Sequence, residues 1–278
     1  MKQRKTISEE VVDLRMWFDE EYDDDPGICE QVDYKKVMNN DWAVKRFILA
    51  NENGPVKGLE SLKQFLSWKK ENRVNKFNPL EIPREIYNLS PVFKFLPDYR
   101  ENNVLYIRGN ILMKLTDLTN IIRNLLIYNI DQIDSCSERV ASWGLVVDIS
   151  GSDYSQINAS WLQEANTIIS TYYPLGLRYM LIYGASIMVR MFGRMMTSLG
   201  GLQFVDSKTI LDFIPAANLP DFLGTSIFSK QNYRRIPKDA KPMKEMKLSL
   251  DETEIRNILE NLKPYLVDES KCTIVDTY

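Results

Sequence analysis

The stretch WGLVVDIS, residues 143–150, is an apolar run whose first charged residue is Asp148. Runs of this kind are typical of a central strand that is buried on both faces of a sheet. A second such run, LRYMLIYG, follows at residues 177–184, and a helical pattern lies between the two at residues 158–172. A strand, a helix and a strand in this order predict a right-handed crossover between two parallel strands.

The same alternation continues on both sides of this unit. The segments VFKFLP (92–97) and NVLYIRG (103–109) are rich in β-forming residues and are joined by a polar turn, and LQFV (202–205) predicts a further strand. A helix is predicted from about Thr116 to Ile133. The chain is therefore expected to have an α/β fold with a mainly parallel sheet.

The two ends of the chain have different patterns. Residues 1–75 predict helices: Thr6 and Glu9 are spaced as a capping box, Asp41 is a candidate cap for a second helix, and Gly54-Pro55 precedes a third. Residues 234–247 are basic and contain two prolines, which indicates a linker or a surface strap. The segment from Ser249 to Glu252 is again spaced as a capping box and predicts a final helix.

The composition excludes several classes of function. The chain has 278 residues, 44% of them hydrophobic, and its net charge of −3 gives no general attraction to nucleic acid. It contains no histidine, the commonest general base and metal ligand, and its three cysteines are widely spaced. No phosphate-binding glycine motif and no signal peptide are present. We therefore expect a cytoplasmic protein that is not an enzyme and holds no metal or cofactor.

The stretch IYGASIMVRMFGRMMTSLGG, residues 182–201, is rich in methionine and carries only Arg190 and Arg194 as charges. Its longest charge-free run, residues 179–189, is shorter than the about 20 residues that a membrane span needs. Residues 187–199 instead predict a helix whose two arginines share one polar strip. Such a helix either packs in a protein core or lies against lipid, where methionine suits variable apolar partners and a basic strip suits anionic headgroups.

Five segments carry the motifs of a known family, in the order in which the family has them. The segments are DWAVKRFILAN (41–51), WGLVVDISG (143–151), YYPLGLRYMLIYGAS (172–186), MVRMFGRMMTSL (188–199) and ILDFIPAANLPDFLG (210–224). Together they resemble the CRAL-TRIO family, which includes the yeast phosphatidylinositol transfer protein and the tocopherol transfer protein. The ending LPDFLGTSIF (219–228) is similar to that of the N-terminal domain of motile-sperm-domain membrane proteins.

This resemblance implies a helical N-terminal lobe at residues 1–75, a CRAL-TRIO lipid-binding domain at 76–235, and a basic strap with a C-terminal helix at 236–278. In the family, the sheet forms the floor of an apolar cavity, and a mobile gate helix opens at a membrane to exchange the ligand. The expected function is therefore a monomeric lipid-binding and lipid-transfer protein that contacts anionic membranes peripherally. Leu175 stands where the family has a glutamate of the inositol-recognition set, so the lipid is left open.

The strand pattern and the resemblance together assign roles to individual residues. The residues expected to line the lipid pocket are Leu145, Val147, Ile168, Tyr172, Leu181, Tyr183, Met191, Phe192 and Met195. Met180 and Ile182, on the other face of the same strand, are the alternative to Leu181 and Tyr183. The basic residues expected at the headgroup or rim are Arg46, Arg178 and Lys208, and those expected to contact the membrane are Arg190, Arg194, Arg234 and Arg235. Ordinary core packing, or a solvated surface charge, is the alternative for each of them.

Two other functions are compatible with the sequence. The fold could serve as a non-transferring lipid sensor or interaction module that uses the acidic run at residues 19–25 or the basic segment at 234–247. An enzyme would need Asp148 and Asp153 for acid–base chemistry at the end of a parallel strand. No nucleophile or metal-binding set accompanies these carboxylates, which makes the enzyme the weakest hypothesis.

The arginine strip of residues 187–199 gives a first testable expectation. Replacing Arg190 and Arg194 together by glutamate is expected to slow lipid exchange at anionic liposomes, because the strip would then be repelled by the headgroups. The measurement is transfer of a fluorescent lipid between liposomes, with circular dichroism to confirm the fold. Unchanged exchange would mean that the segment is a core helix.

Overall fold

The computed structural model describes residues 5–52, 54–136, 139–151, 159–186, 202–223 and 232–276. The chain divides into two compact units. The first comprises Met1–Lys76, Asp134–Ser142 and Ser160–Leu177, and the second comprises Phe77–Ile133, Trp143–Ala159 and Arg178–Tyr278. The predicted helix at residues 187–199 lies outside the described residues.

The first unit contains helices α1 (Ile7–Asp24), α2 (Gln31–Asn39), α3 (Asp41–Ala50) and α4 (Pro55–Glu71). Their apolar faces meet in one core, whose most buried members are Leu14, Phe18, Val44, Phe47, Leu62 and Leu66. Helix α2 was not predicted, because its nine residues QVDYKKVMN offer too few apolar positions for a clear helical period.

The predicted capping box at the start of α1 is confirmed. The Thr6 hydroxyl accepts the N–H of Glu9, and the Glu9 carboxylate accepts the N–H of Thr6 at 2.7 Å. The cap of α3 differs from the prediction: Asn40, one residue before Asp41, accepts the N–H of Ala43 at 3.0 Å. Asn40 takes this place because its backbone is extended, which the capping position requires, whereas Asp41 is already helical.

The remaining elements follow in chain order. The helices are α5 (Arg84–Leu89), α6 (Gly109–Leu112), α7 (Thr119–Ser135), α8 (Ala159–Thr167, continued by a π-helical turn at Ile168–Tyr172) and α9 (Glu252–Leu262). The strands are β1 (Val92–Phe95), β2 (Asn103–Arg108), β3 (Trp143–Asp148), β4 (Leu177–Tyr183), β5 (Leu202–Val205), β6 (Arg235–Pro237) and β7 (Thr273–Val275).

The predicted mainly parallel sheet is confirmed. Its strand order is β1-β2-β3-β4-β5, so every strand lies beside its neighbour in sequence. Strand β1 is antiparallel to β2, whereas β2 pairs with β3 and β4 pairs with β5 in parallel. The Ile149 N–H donates to the Tyr183 carbonyl at 3.0 Å, a parallel bond that sets Val147 beside Ile182. The sheet is therefore one continuous surface from β1 to β5.

Alternation along the strands gives this sheet two different faces. The aromatic face carries Phe93, Val104, Tyr106, Val146, Tyr179, Leu181, Tyr183 and Val205, which form one buried cluster with Ile210, Ile214, Leu219, Leu223 and Tyr233 from later in the chain. The aliphatic face carries the alternate residues Leu105, Ile107, Leu145, Val147, Met180, Ile182, Leu202 and Phe204.

The C-terminal segment is part of the second unit. Strand β6 pairs in parallel with β7, and Ile236 of β6 is fully buried, so the predicted strap is anchored by packing. Arg84 donates to both carboxylate oxygens of Glu269 at 2.6 and 2.7 Å. The capping box of α9 begins at Asp251 and not at Ser249, because the Asp251 carboxylate accepts the N–H groups of Thr253 and Glu254 at 2.8 Å.

Gly144 gives a test of the aromatic face. A Cβ at this position would lie 2.5 Å from the Tyr179 hydroxyl, which is held in place by donating to Asp98 at 3.2 Å. Gly144→Ala is therefore expected to lower the free energy of unfolding by about 1–3 kcal/mol, measured by urea denaturation. In Gly144→Ala/Tyr179→Leu, the leucine removes the ring with which the new methyl group would clash. The loss of unfolding free energy in this double variant should therefore be smaller than the sum of the losses in the two single variants. Strict additivity would contradict the proposed clash.

Candidate functional site

Exposure changes across the aliphatic face of the sheet. One row of neighbouring side chains runs from Ile107 on β2 through Val147 and Ile182 to Phe204 on β5. Ile107 is buried, whereas the next three are only half-buried, and so is Leu202 beside Met180. We call Val147, Ile182, Leu202 and Phe204 the aliphatic patch. It is a contiguous apolar surface without a charged side chain among its members, suited to binding hydrocarbon.

The sheet separates two pairs of residues that the sequence had grouped in one pocket. Leu145 and Val147 lie on the aliphatic face, whereas Leu181 and Tyr183 lie on the aromatic face. Leu181 is fully buried in the aromatic cluster, and the Tyr183 hydroxyl donates to the Leu223 carbonyl. A single cavity cannot use both faces of one sheet. Leu181 and Tyr183 are therefore corrected to core residues, and their neighbour Ile182 replaces them at the candidate site.

Ile168 and Tyr172, also predicted to line the pocket, belong to the first unit. Both lie in the π-helical turn that continues α8, and Ile168 is buried. The Tyr172 ring stacks on Trp68 of α4 with centroids 4.2 Å apart, and Trp68 also meets Tyr173 edge to face. These packing contacts alone account for the position of the Tyr172 ring. The other predicted pocket residues, Met191, Phe192 and Met195, lie outside the described residues.

Arg46 does not lie at a rim. It is 5% exposed, forms a bidentate ion pair with Asp134, and also donates through Nε to the Pro174 carbonyl at 2.9 Å. Its guanidinium lies 5.5 Å from the ring centroid of Trp42. With these donors in use inside the first unit, the predicted headgroup role is corrected to a structural one.

The two other predicted rim residues lie at opposite ends of the sheet. Arg178 is half-buried near the amino end of β4, whereas Lys208 is exposed after the carboxyl end of β5. Since Tyr183 pairs with Val205, Arg178 precedes that level by five residues, roughly 16 Å at the rise of a strand. The two side chains therefore start from opposite ends of the sheet, and Lys208 is the one on the carboxyl side.

The predicted membrane-contact residues have different surroundings. Arg190 and Arg194 lie outside the described residues. Arg234 is half-buried and packs its guanidinium 4.5 Å from the centroid of Tyr233, whereas Arg235 on β6 is exposed. Of the two arginines that are described, Arg235 is therefore the one whose charge faces solvent.

Gly184 closes the turn at the carboxyl end of β4, next to the aliphatic patch. Its φ of +72° is in the left-handed region, and a Cβ there would lie 2.8 Å from the Cα of Ser150. Only glycine fits such a position without strain. The ends of β3 and β4 therefore approach each other closely where the chain leaves the sheet towards residue 187.

Sequence reasoning missed a pair of charged residues at the carboxyl ends of β2 and β3, in which Asp148 is buried and Arg108 is half-buried. Arg108 pairs in register with Asp148, and burial lowers the pKa of Arg108 from its ordinary value. Burial also raises the pKa of Asp148, which accepts the N–H of Ser150 at 2.9 Å. An arginine that ends the otherwise uncharged strand NVLYIR was the available signal. Asp153, the second carboxylate of the enzyme hypothesis, is not among the described residues.

A membrane span and a metal site are two further features that the described ranges could hold. No helix in them is long and apolar enough to cross a membrane, and no three of their acidic or cysteine side chains are grouped to hold a metal ion.

A groove of about 620 Å³ in the first unit is mostly polar and contains no predicted site residue; its lining includes Lys5, Ile7, Glu10, Ile48, Asn51 and Pro55.

The structural role of Arg46 can be tested against the predicted headgroup role. Arg46→Met is expected to lower the free energy of unfolding by about 3–5 kcal/mol, because it removes the bidentate arginine partner of the buried Asp134 carboxylate. Urea denaturation measures the loss, and Arg46→Met/Asp134→Leu should recover most of it. Wild-type stability combined with lost binding to phosphoinositide liposomes would restore the headgroup role.

Comparison with known proteins agrees with this architecture. A family model described as the CRAL/TRIO domain matches residues 89–224. The crystal structure of Sfh5 is similar, with a TM-score of 0.59 at 14% identity over 95% of this chain and 98% of that chain, a likeness that concerns the fold. No curated protein matches this chain in sequence. The resemblance inferred from the motifs is thus confirmed, and residues 89–224 of this chain form a CRAL/TRIO domain.

Proposed function

We propose that this protein binds a lipid against the aliphatic face of its sheet and transfers it between membranes. The observation that supports the proposal is the aliphatic patch: four neighbouring apolar side chains on β3, β4 and β5 that remain half-buried. On the opposite face, the equivalent positions Val146, Leu181 and Val205 are closed by packing. An apolar surface of this kind, left half-buried where the equivalent positions of the other face are packed, is suited to a ligand that supplies the missing contacts.

Transfer sets a physical requirement on the carrier. Each CH₂ group of an acyl chain kept out of water contributes about 0.8 kcal/mol, so a carrier must offer comparable apolar lining along the chains. The patch gives the floor of such a lining. The polar headgroup is then expected near the carboxyl ends of the strands, where Lys208 follows β5. The lipid class is set by contacts in that region.

The methionine-rich segment of residues 187–199 is proposed to be the gate through which the lipid enters and leaves the cavity. It connects β4 to β5 in the chain, and its composition suits contact with both a protein interior and lipid. Met191, Phe192 and Met195 would contact the bound chains, while Arg190 and Arg194 would contact anionic headgroups during exchange. Arg235, exposed on β6, is a further candidate for this contact. The protein would act as a monomer at the cytoplasmic surface of a membrane.

The proposed site is tested by placing a charge in the aliphatic patch. Ile182→Asp puts a carboxylate where acyl chains would lie, which is costly without a hydrogen-bonding partner, so lipid transfer between liposomes should fall about tenfold or more. Gln203→Asp is the matched control, because it adds the same charge on the exposed opposite side of the edge strand β5 and should leave transfer unchanged.

Mass spectrometry of an organic extract of the purified protein should identify a copurifying lipid in the wild type and in Gln203→Asp, and less of it in Ile182→Asp. Equal transfer by both variants would place the ligand elsewhere. An empty wild-type protein that transfers no lipid would overturn the proposal and favour an interaction module on the same fold.

A further inference from the structure

A second cluster of functional groups lies on the aromatic face of the sheet, away from the aliphatic patch. Two arginines meet there at one buried tyrosine: the Arg234 guanidinium lies 4.5 Å, and that of Arg108 5.8 Å, from the centroid of Tyr233. Arg108 also packs 4.7 Å from the centroid of Phe222. Tyr233 itself is 2% exposed and stacks on Phe93, so the cluster is anchored in the core.

Three hydrogen-bond donors of this cluster are buried and have no acceptor among the described residues: Arg108 Nε, Arg234 Nε and the Tyr233 hydroxyl. The one hydrogen bond given by the Arg108 side chain within the same residues runs from Nη1 to the Leu89 carbonyl at 2.7 Å. Neither arginine forms an ion pair in the described part of the chain. Buried donors are normally paired, so three unpaired donors on two arginines and the ring against which both pack indicate a missing acceptor.

The electrostatics of the cluster favour an anion. Burial is the main cause that lowers the pKa of Arg108, and the neighbouring Arg234 charge lowers it further. Asp148 and Asp221 attract Arg108 from a distance but do not hydrogen-bond to it. Asp148 accepts from Ser150 instead, and the Asp221 residue is exposed. An acceptor with several oxygens and more than one negative charge would satisfy both guanidinium groups and the hydroxyl together.

We propose that Arg108, Arg234 and Tyr233 form a binding site for a phosphate group, carried either by a soluble phosphate compound or by a lipid headgroup. Phosphate fits because its oxygens match the planar fork of a guanidinium and its charge offsets two arginines. The site lies on the face of the sheet opposite the aliphatic patch, so it is independent of the proposed lipid pocket.

The experiment uses the full chain and inorganic phosphate, with binding measured by calorimetry against chloride at equal ionic strength. Arg234→Gln should weaken phosphate binding about tenfold or more, because a charge-assisted hydrogen bond is lost. Tyr233→Phe keeps the ring and its stacking and removes only the hydroxyl, so it should fold normally and weaken binding about threefold to tenfold. Arg256→Gln, an exposed arginine on α9, is the matched control and should bind as the wild type does.

A second arm identifies the source of the phosphate. Vesicles of phosphatidylcholine with and without phosphatidic acid are compared, using the same variants. Binding of inorganic phosphate supports a soluble ligand, whereas binding confined to phosphatidic acid vesicles, with the same dependence on Arg234 and Tyr233, supports a lipid headgroup. The site is refuted if the wild type binds neither probe, or if Tyr233→Phe and Arg234→Gln bind as Arg256→Gln does. Ile182→Asp should leave phosphate binding unchanged, which separates this test from that of the lipid pocket.

Discussion

The rest of the second unit depends on the alternation of side chains along β3 and β4. Once the Ile149 N–H donates to the Tyr183 carbonyl, Val146 and Leu181 share one face and Val147 and Ile182 share the other. A shift of one residue would exchange the two sets, burying the half-exposed patch and exposing the aromatic cluster. The pairing register therefore decides which side of the sheet is sealed and which side remains available to a ligand.

The first unit is held together differently. Arg46 of α3 ties Asp134 and Pro174, which are distant in sequence, through one buried guanidinium. If one member of this buried network is removed, water cannot reach the remaining members to replace the lost hydrogen bonds. Each member therefore depends on the presence of the others. This explains why Arg46 has a structural role, although the resemblance of residues 41–51 to a family motif suggested a headgroup contact.

Much of the fold could be predicted from the sequence, because apolar runs such as residues 143–150 and the capping box at Thr6 are local signals. The candidate site could be predicted less well. Which of Leu181 and Ile182 faces a ligand depends on what covers each face, and that is decided by residues such as Ile214 and Leu223, far along the chain. Arg108 was missed for the same reason: its partners on the aromatic face come from residues after 220.

Gly184 sets how closely the ends of β3 and β4 can approach each other. Glycine is commonly taken as a hinge because its backbone rotates freely. Here a Cβ would lie 2.8 Å from the Cα of Ser150, and the Tyr183 carbonyl accepts the N–H of Ile149, the residue after β3. Gly184 is thus required by the close packing of two strand ends, and a side chain added at this position would force those ends apart.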